Sequence, residues 1–173
     1  MIIKSFETNK IELDKNKFIL LYGQNNGLKN ETLKNLIKKE EEVFNYDEKE
    51  ILDKTNSFLE QIFSRSLFEK EKTIIVNRAT DKILEIIDKI DLKKIVDLKI
   101  IILANNLEKR SKLRVFFETH KIYLCIPFYP DNNQTLSKIA YNFFKECKIV
   151  ISSENINLII SRCNGDRENL QNE

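Results

Sequence analysis

Glycine and proline are scarce in this chain, with three of one and two of the other among 173 residues. An architecture of many short strands needs more turn residues than that, so an all-β fold is excluded, as is a long disordered linker. Cysteine is equally sparse. Cys125, Cys147 and Cys163 are odd in number, widely spaced and without a CxxC pair, which indicates neither a disulfide framework nor a zinc site. They are expected to be reduced packing residues. No apolar run approaches the roughly 18 residues of a membrane span, and residues 1–11 carry charge throughout. A soluble, cytoplasmic protein with no membrane partner is expected. An excess of one charge is also missing. The chain has 29 basic and 27 acidic residues, too balanced for bulk charge to point to nucleic acid.

What is present is alternation. Residues 18–22 are continuously apolar, as in a strand buried on both faces, and a polar turn follows over 23–26. Leu28, Leu33, Leu36 and Ile37 then give a helical stripe. A short strand is expected at 43–46, a helix from Asp47 to Phe63, a strand at 73–77 and a helix at 81–90. The strongest strand pattern is 98–103. A basic helical segment at 108–119 leads to a fifth strand at 122–126. Strand–helix repetition predicts an α/β fold, a parallel five-stranded sheet with helices on both faces. Pro127 and Pro130 break the pattern, so the boundary is expected between 127 and 133, dividing the chain into 1–128 and a small helical domain at 134–173. In that second part helices are expected at 135–145 and from Ser152 to about Cys163. Asn164-Gly165 should end the second, and Asp166 should cap a third. That last helix stops at Glu173 while still strongly helical, and truncation of a longer chain is expected.

A strand, a glycine turn and a helix call for comparison with the phosphate-binding loop G-x-x-x-x-G-K-[ST]. Gly23 and Gly27 lie in the turn, and Lys29 falls at the lysine position counted from Gly23. Leu28 stands where the second glycine should be, and Asn30 replaces the magnesium-binding hydroxyl. The third strand ends in Asn77-Arg78, where a second acidic ligand is required. Both halves of a metal–nucleotide site are missing, so ATP hydrolysis is not expected. His120, the only histidine, is expected at the surface or in packing. The carboxylates are interleaved with lysines as on solvated helix faces, and no catalytic residue or metal site emerges. Ser161-Arg162-Cys163 matches an arginine-finger motif of clamp-loader ATPase partners but falls within a predicted helix, the wrong place for that role.

Two features remain. Leu67 and Phe68 are adjacent bulky apolar residues in a charged connection before the third strand; they either complete the core or wait for a partner's pocket. Lys109, Arg110, Lys112 and Arg114 crowd the expected start of a helix, where cations oppose the macrodipole. That placement favours contact with DNA phosphate or an acidic partner surface, against a solvated helix start.

Three motifs in order complete the picture: Ser66-Leu67-Phe68 before a strand, Leu107 to Leu113 leading a helix, and Gly165 to Glu173 opening the last helix. With the decayed phosphate loop they resemble, over nearly the whole chain, the delta subunit of the bacterial DNA polymerase III clamp loader. The resemblance implies an AAA+-like P-loop/Rossmann-type α/β domain followed by a helical lid. It implies a non-catalytic role in DNA replication: binding the sliding clamp (the beta subunit) through Ser66, Leu67 and Phe68, and helping to open it for loading onto primed DNA. No cofactor is implied, and ATPase activity is lost. The DNA-directed DNA polymerase (nucleotidyltransferase) activity belongs to another subunit of the holoenzyme. Delta prime and the tau/gamma subunits would be met through a C-terminal collar domain, to which nothing in these residues corresponds. The alternatives are a nucleotide-binding P-loop NTPase with an unusual loop, or a DNA-binding AAA+ relative working through the basic run.

Overall fold

The structure, a computed structural model, describes residues 2–5, 16–37, 41–63, 72–91 and 98–173. Strands β1 (Phe18–Gly23), β2 (Glu42–Asp47), β3 (Lys72–Asn77), β4 (Leu98–Ala104) and β5 (Leu124–Phe128) form one sheet in the order β2-β3-β4-β1-β5. The sheet is parallel and flanked by helices. Every residue of β1 is buried, which is why its sequence shows no alternation. The α/β class expected from the alternating pattern is the one observed.

The helices are α1 (Asn26–Leu36), α2 (Glu48–Asp53), α3 (Thr55–Phe63), α4 (Leu84–Asp91), α5 (Lys112–Thr119), α6 (Asn133–Glu146), α7 (Ser153–Arg162) and α8 (Arg167–Asn172), with a 3₁₀ turn at Asp81–Ile83. Several boundaries differ from expectation for local reasons. The segment from Asp47 to Phe63 is two helices, not one. Lys54 leaves the helical region at φ −128°, ψ 40°, and the Thr55 hydroxyl donates to the carbonyl of Ile51 at 3.0 Å. β5 begins two residues later than expected and contains Pro127; a proline is tolerated there because β5 lies at the edge of the sheet. α5 begins only at Lys112, with Ser111 as its cap.

The described residues pack as two compact units, one of residues Met1–Tyr22 with Asn35–Pro127, the other of Gly23–Lys34 with Phe128–Glu173. The first has its core in the inner strands and the helices over them: Leu20, Ile74, Ile100 and Ile102 meet Ile51, Ile87, Leu113 and Phe117. The second is held by Leu136, Ala140, Ile156, Ile160 and Cys163, with Ile151, Ile159 and Leu170 packed against them. Each leucine or isoleucine among them contributes about 1.5–3 kcal/mol by leaving water. Two cysteines are packing residues as expected, and burial pushes the Cys125 thiol up to about 12. Cys147 departs from that expectation and is exposed after α6.

One polar cluster is buried with the first core. Glu41 accepts from Lys99 Nζ at 2.6 Å and from the Thr73 hydroxyl at 2.7 Å. Glu41→Ala would leave a buried ammonium without this carboxylate, so it should lower stability by about 3–5 kcal/mol. Glu41→Leu combined with Lys99→Met should cost far less, because neither charge then remains inside. Urea unfolding of both variants checks this.

Candidate functional site

The glycine turn expected to be a decayed phosphate loop lies in the second unit, and its polar groups are already engaged. Asn25, completely buried, opens α1 by accepting from the Leu28 amide at 3.1 Å. Its side-chain nitrogen donates to Asp131 Oδ2 at 2.8 Å and to the Tyr129 carbonyl at 3.3 Å. Lys29 is buried at 5% exposure, and its Nζ donates to the Gly23 carbonyl at 3.1 Å. Burial lowers the pKa of this lysine, while the charge of Asp166 acts in the opposite direction.

Asp166 supplies the central feature. Its carboxylate accepts from the Asn26 amide at 2.9 Å, the Gly27 amide at 3.0 Å and the Glu168 amide at 2.8 Å. One side chain thus caps two helices, α8 as expected and α1 as well. The chain reaches this geometry through a left-handed turn at Asn164 (φ 49°) and Gly165 (φ 77°), which ends α7. Beside it, Arg167 donates through Nε to Asp131 at 2.8 Å and through Nη1 to Glu31 at 3.1 Å. Gly27 is glycine because α8 comes so close: a Cβ there would stand 2.3 Å from the Glu168 nitrogen and 2.7 Å from Arg167 Cβ.

These residues do not fit a magnesium-bound nucleotide. The amides at 26 and 27 face a carboxylate of the chain itself, and a phosphate placed there would meet like charge. Asn30 offers no hydroxyl. At the end of β3, Asn77 donates to the Tyr46 carbonyl at 3.2 Å and Arg78 pairs with Asp47. Among the described residues no group of His, Cys, Asp and Glu could hold a metal ion.

The basic run divides. Lys109 and Arg110 lie in the exposed turn before α5, and Lys112 is exposed in its first turn. Arg114 is held within the first unit: Nε meets Glu118 at 2.8 Å, Nη1 meets the Leu107 carbonyl at 3.2 Å, and the guanidinium lies 5.1 Å from the Tyr22 ring centre. The electrostatic cost expected of cations at this helix start is offset by Asp81, whose carboxylate takes the Ser111 hydroxyl at 2.7 Å and the amides of Lys112 and Leu113 at 3.1 and 2.9 Å. His120 stacks on Tyr123 with centroids 3.6 Å apart, a packing role. Arg162, on α7, pairs with Glu173 at 3.4 Å. Ser66, Leu67 and Phe68 lie outside the described residues.

The sequence reading found Gly23, Gly27 and Lys29 but missed Asn25 and Asp131, and saw Asp166 only as a cap. Asp166 after Asn-Gly announces a helix start. Nothing in sequence spacing announces that a second helix start shares the same carboxylate.

The chain matches no protein-family model and no curated protein by sequence. Its fold matches solved structures. The Bacillus subtilis DNA clamp loader delta protein (YqeN) aligns with TM-score 0.55 and 17% identity over 96% of this chain and 54% of that one. A replication initiator DnaA bound to AMPPCP and single-stranded DNA aligns with TM-score 0.58 and 13% identity over 97% and 58%. RuvB of Thermotoga maritima aligns with TM-score 0.53 and 14% identity over 89% and 51%. The chain spans just over half the length of each of these proteins. The likeness is one of fold: a five-stranded parallel α/β sheet followed by a helical region.

Two outcomes follow from this geometry. Gly27→Ala should lower the urea midpoint, because its Cβ meets the backbone of α8 and such overpacking costs about 1–3 kcal/mol. Asp81 should give a pH-dependent contribution. The Leu113 amide and Ser111 hydroxyl, followed by Lys112, hold its carboxyl below the ordinary 3.8. Its stabilisation is therefore present above 3.8 and disappears as pH falls through the lower folded value. Asp81→Asn should unfold at lower urea than wild type at pH 6, and the gap should narrow at pH 3.

Proposed function

We propose that this chain is a nucleotide-independent AAA+-type module of the DNA replication machinery, acting as a clamp-loader delta subunit acts, by binding the sliding clamp. The observation that carries the nucleotide-independent part is the Asp166 carboxylate on the loop amides. The clamp-binding part rests on the order of motifs in the chain and is supported by the fold likeness to a clamp loader delta protein. In this reading Leu67 and Phe68 form an apolar anchor, with Ser66 beside them. Burying the two side chains contributes about 1.5–3 kcal/mol each, enough to centre a contact of micromolar affinity. The clamp is the beta subunit. Delta prime and the tau/gamma subunits would be met through chain beyond these residues, and primed DNA only in the assembled loader, with Lys109, Arg110 and Lys112 facing phosphate.

A second reading is a nucleotide- or DNA-binding AAA+ relative. It is favoured by the likeness to the DnaA structure with AMPPCP and single-stranded DNA and by the exposure of Lys109, Arg110 and Lys112. The two readings part on simple measurements. In the first, calorimetry gives ATP with Mg²⁺ a Kd no better than millimolar. The chain binds the cognate sliding clamp, and Leu67→Ala with Phe68→Ala removes that binding while Tm stays within a degree or two. A micromolar ATP Kd that Lys29→Ala abolishes would overturn this reading, and a Tm lowered by many degrees in the double variant would assign the pair to the core.

DNA supplies the other discriminator. Affinity of the isolated chain for DNA should be weak under the first reading. Under the second it should be strong, with log K falling against log salt by about 0.9 per duplex phosphate contact. Reversing Lys109, Arg110 and Lys112 to Glu should flatten that slope if they make those contacts.

A further inference from the structure

We propose that Asp166 is a tethered anion that occupies the phosphate loop in place of a free one, locking α8 onto the loop and closing the loop to phosphate-type oxyanions. This rests on the nucleotide-independent reading and names what takes the anion's place. The first amides of an α-helix have no partner within the helix and sit at the positive end of its dipole. At the start of α1 the amides of Asn26 and Gly27 converge on one point, Asn26 donating also to the Gln24 carbonyl at 3.0 Å, with the ammonium of Lys29 buried nearby. Such a point demands negative charge. Asp166, itself only 8% exposed, supplies it with both oxygens: Oδ2 takes Asn26, and Oδ1 takes Gly27 and Glu168.

The surroundings are arranged around that carboxylate and not around a mobile ligand. Arg167, the adjacent cation that could otherwise face a phosphate, is committed to Asp131 and Glu31. Asn25 ties the same Asp131 to the start of α1. Gly27 leaves room for the α8 backbone, at a distance that no other residue permits. All these groups belong to one compact unit, so the carboxylate and the loop stay together. A group that the fold holds in place meets its partner intramolecularly, at an effective concentration of about millimolar or more. A free oxyanion of weaker affinity cannot displace it. The position of α8 is then set by the chain alone and needs no ligand.

Inorganic pyrophosphate is the probe, compared with sodium chloride at matched ionic strength. Wild-type Tm should be the same in both. Asp166→Ser keeps a capping oxygen for α8 but withdraws the charge; Asp166→Asn keeps the shape and sets an NH₂ group against the amides. Both should melt lower than wild type and recover several degrees in millimolar pyrophosphate, as a ligand that binds only the folded state requires. Adding Lys29→Ala should abolish the recovery. Amide hydrogen exchange of the wild type provides a measurement independent of whether the variants fold. The Gly27 amide, in the first turn, should exchange at least about tenfold more slowly than open loop amides. Exchange at loop rates, or a wild-type Tm raised by pyrophosphate as much as the variants', would overturn the lock. Tight ATP binding by the wild type would instead overturn the functional reading, so the two failures are distinguishable.

Discussion

The second unit depends on a single electrostatic demand: two helices begin at the same place, and the positive ends of both need an anion. A carboxylate from the turn between α7 and α8 meets that demand for both. The requirement propagates outward. The turn must be left-handed to deliver Asp166, which places Asn164 and Gly165 before it. The α8 backbone must come within touching distance of α1, which leaves no room for a side chain at Gly27. Arg167 emerges next to the buried carboxylate and is balanced by Asp131 and Glu31, and Asn25 joins these groups to the loop. Removing the charge at 166 therefore affects several contacts at once.

The residues shared with a phosphate-binding loop have all acquired structural work. Gly23 closes β1 and gives its carbonyl to Lys29, Lys29 is buried beneath the loop, and Gly27 admits a neighbouring helix. The fold is a parallel α/β sheet followed by helices, and its loop amides at 26 and 27 are taken up by a carboxylate of the chain itself. Its stability then comes from apolar packing of the parallel sheet in one unit and from a small apolar core plus a buried polar network in the other.

Much of this was legible in the sequence because hydrophobic periodicity reports burial directly. The continuous apolar run of β1, the isoleucine-rich run of β4 and the stripes of α4 and α7 needed no tertiary information. Errors arose where a local contact overrode the pattern. The Thr55 hydroxyl helps break one expected helix into two, and an edge position allows Pro127 to stay in a strand. At the site, the departures from a phosphate-loop motif were legible at Leu28, Asn30 and Asn77, since each lacks an atom or a conformation that motif needs. The carboxylate that engages the loop was not, because Asp166 lies about 140 residues along the chain from the amides it serves. Asp81 was hidden for the same reason: it stabilises α5 from 30 residues away, and reading the helix alone made its cations look more costly than they are.

The most direct measurement is a crystal structure of the chain grown with Mg²⁺ and a non-hydrolysable ATP analogue at millimolar concentration. The expected result is the Asp166 carboxylate within hydrogen-bond distance of the Asn26 and Gly27 amides, with no phosphate density on the loop. Phosphates seated on those amides, with Asp166 swung away and α8 displaced, would contradict the claim that this loop works without a nucleotide.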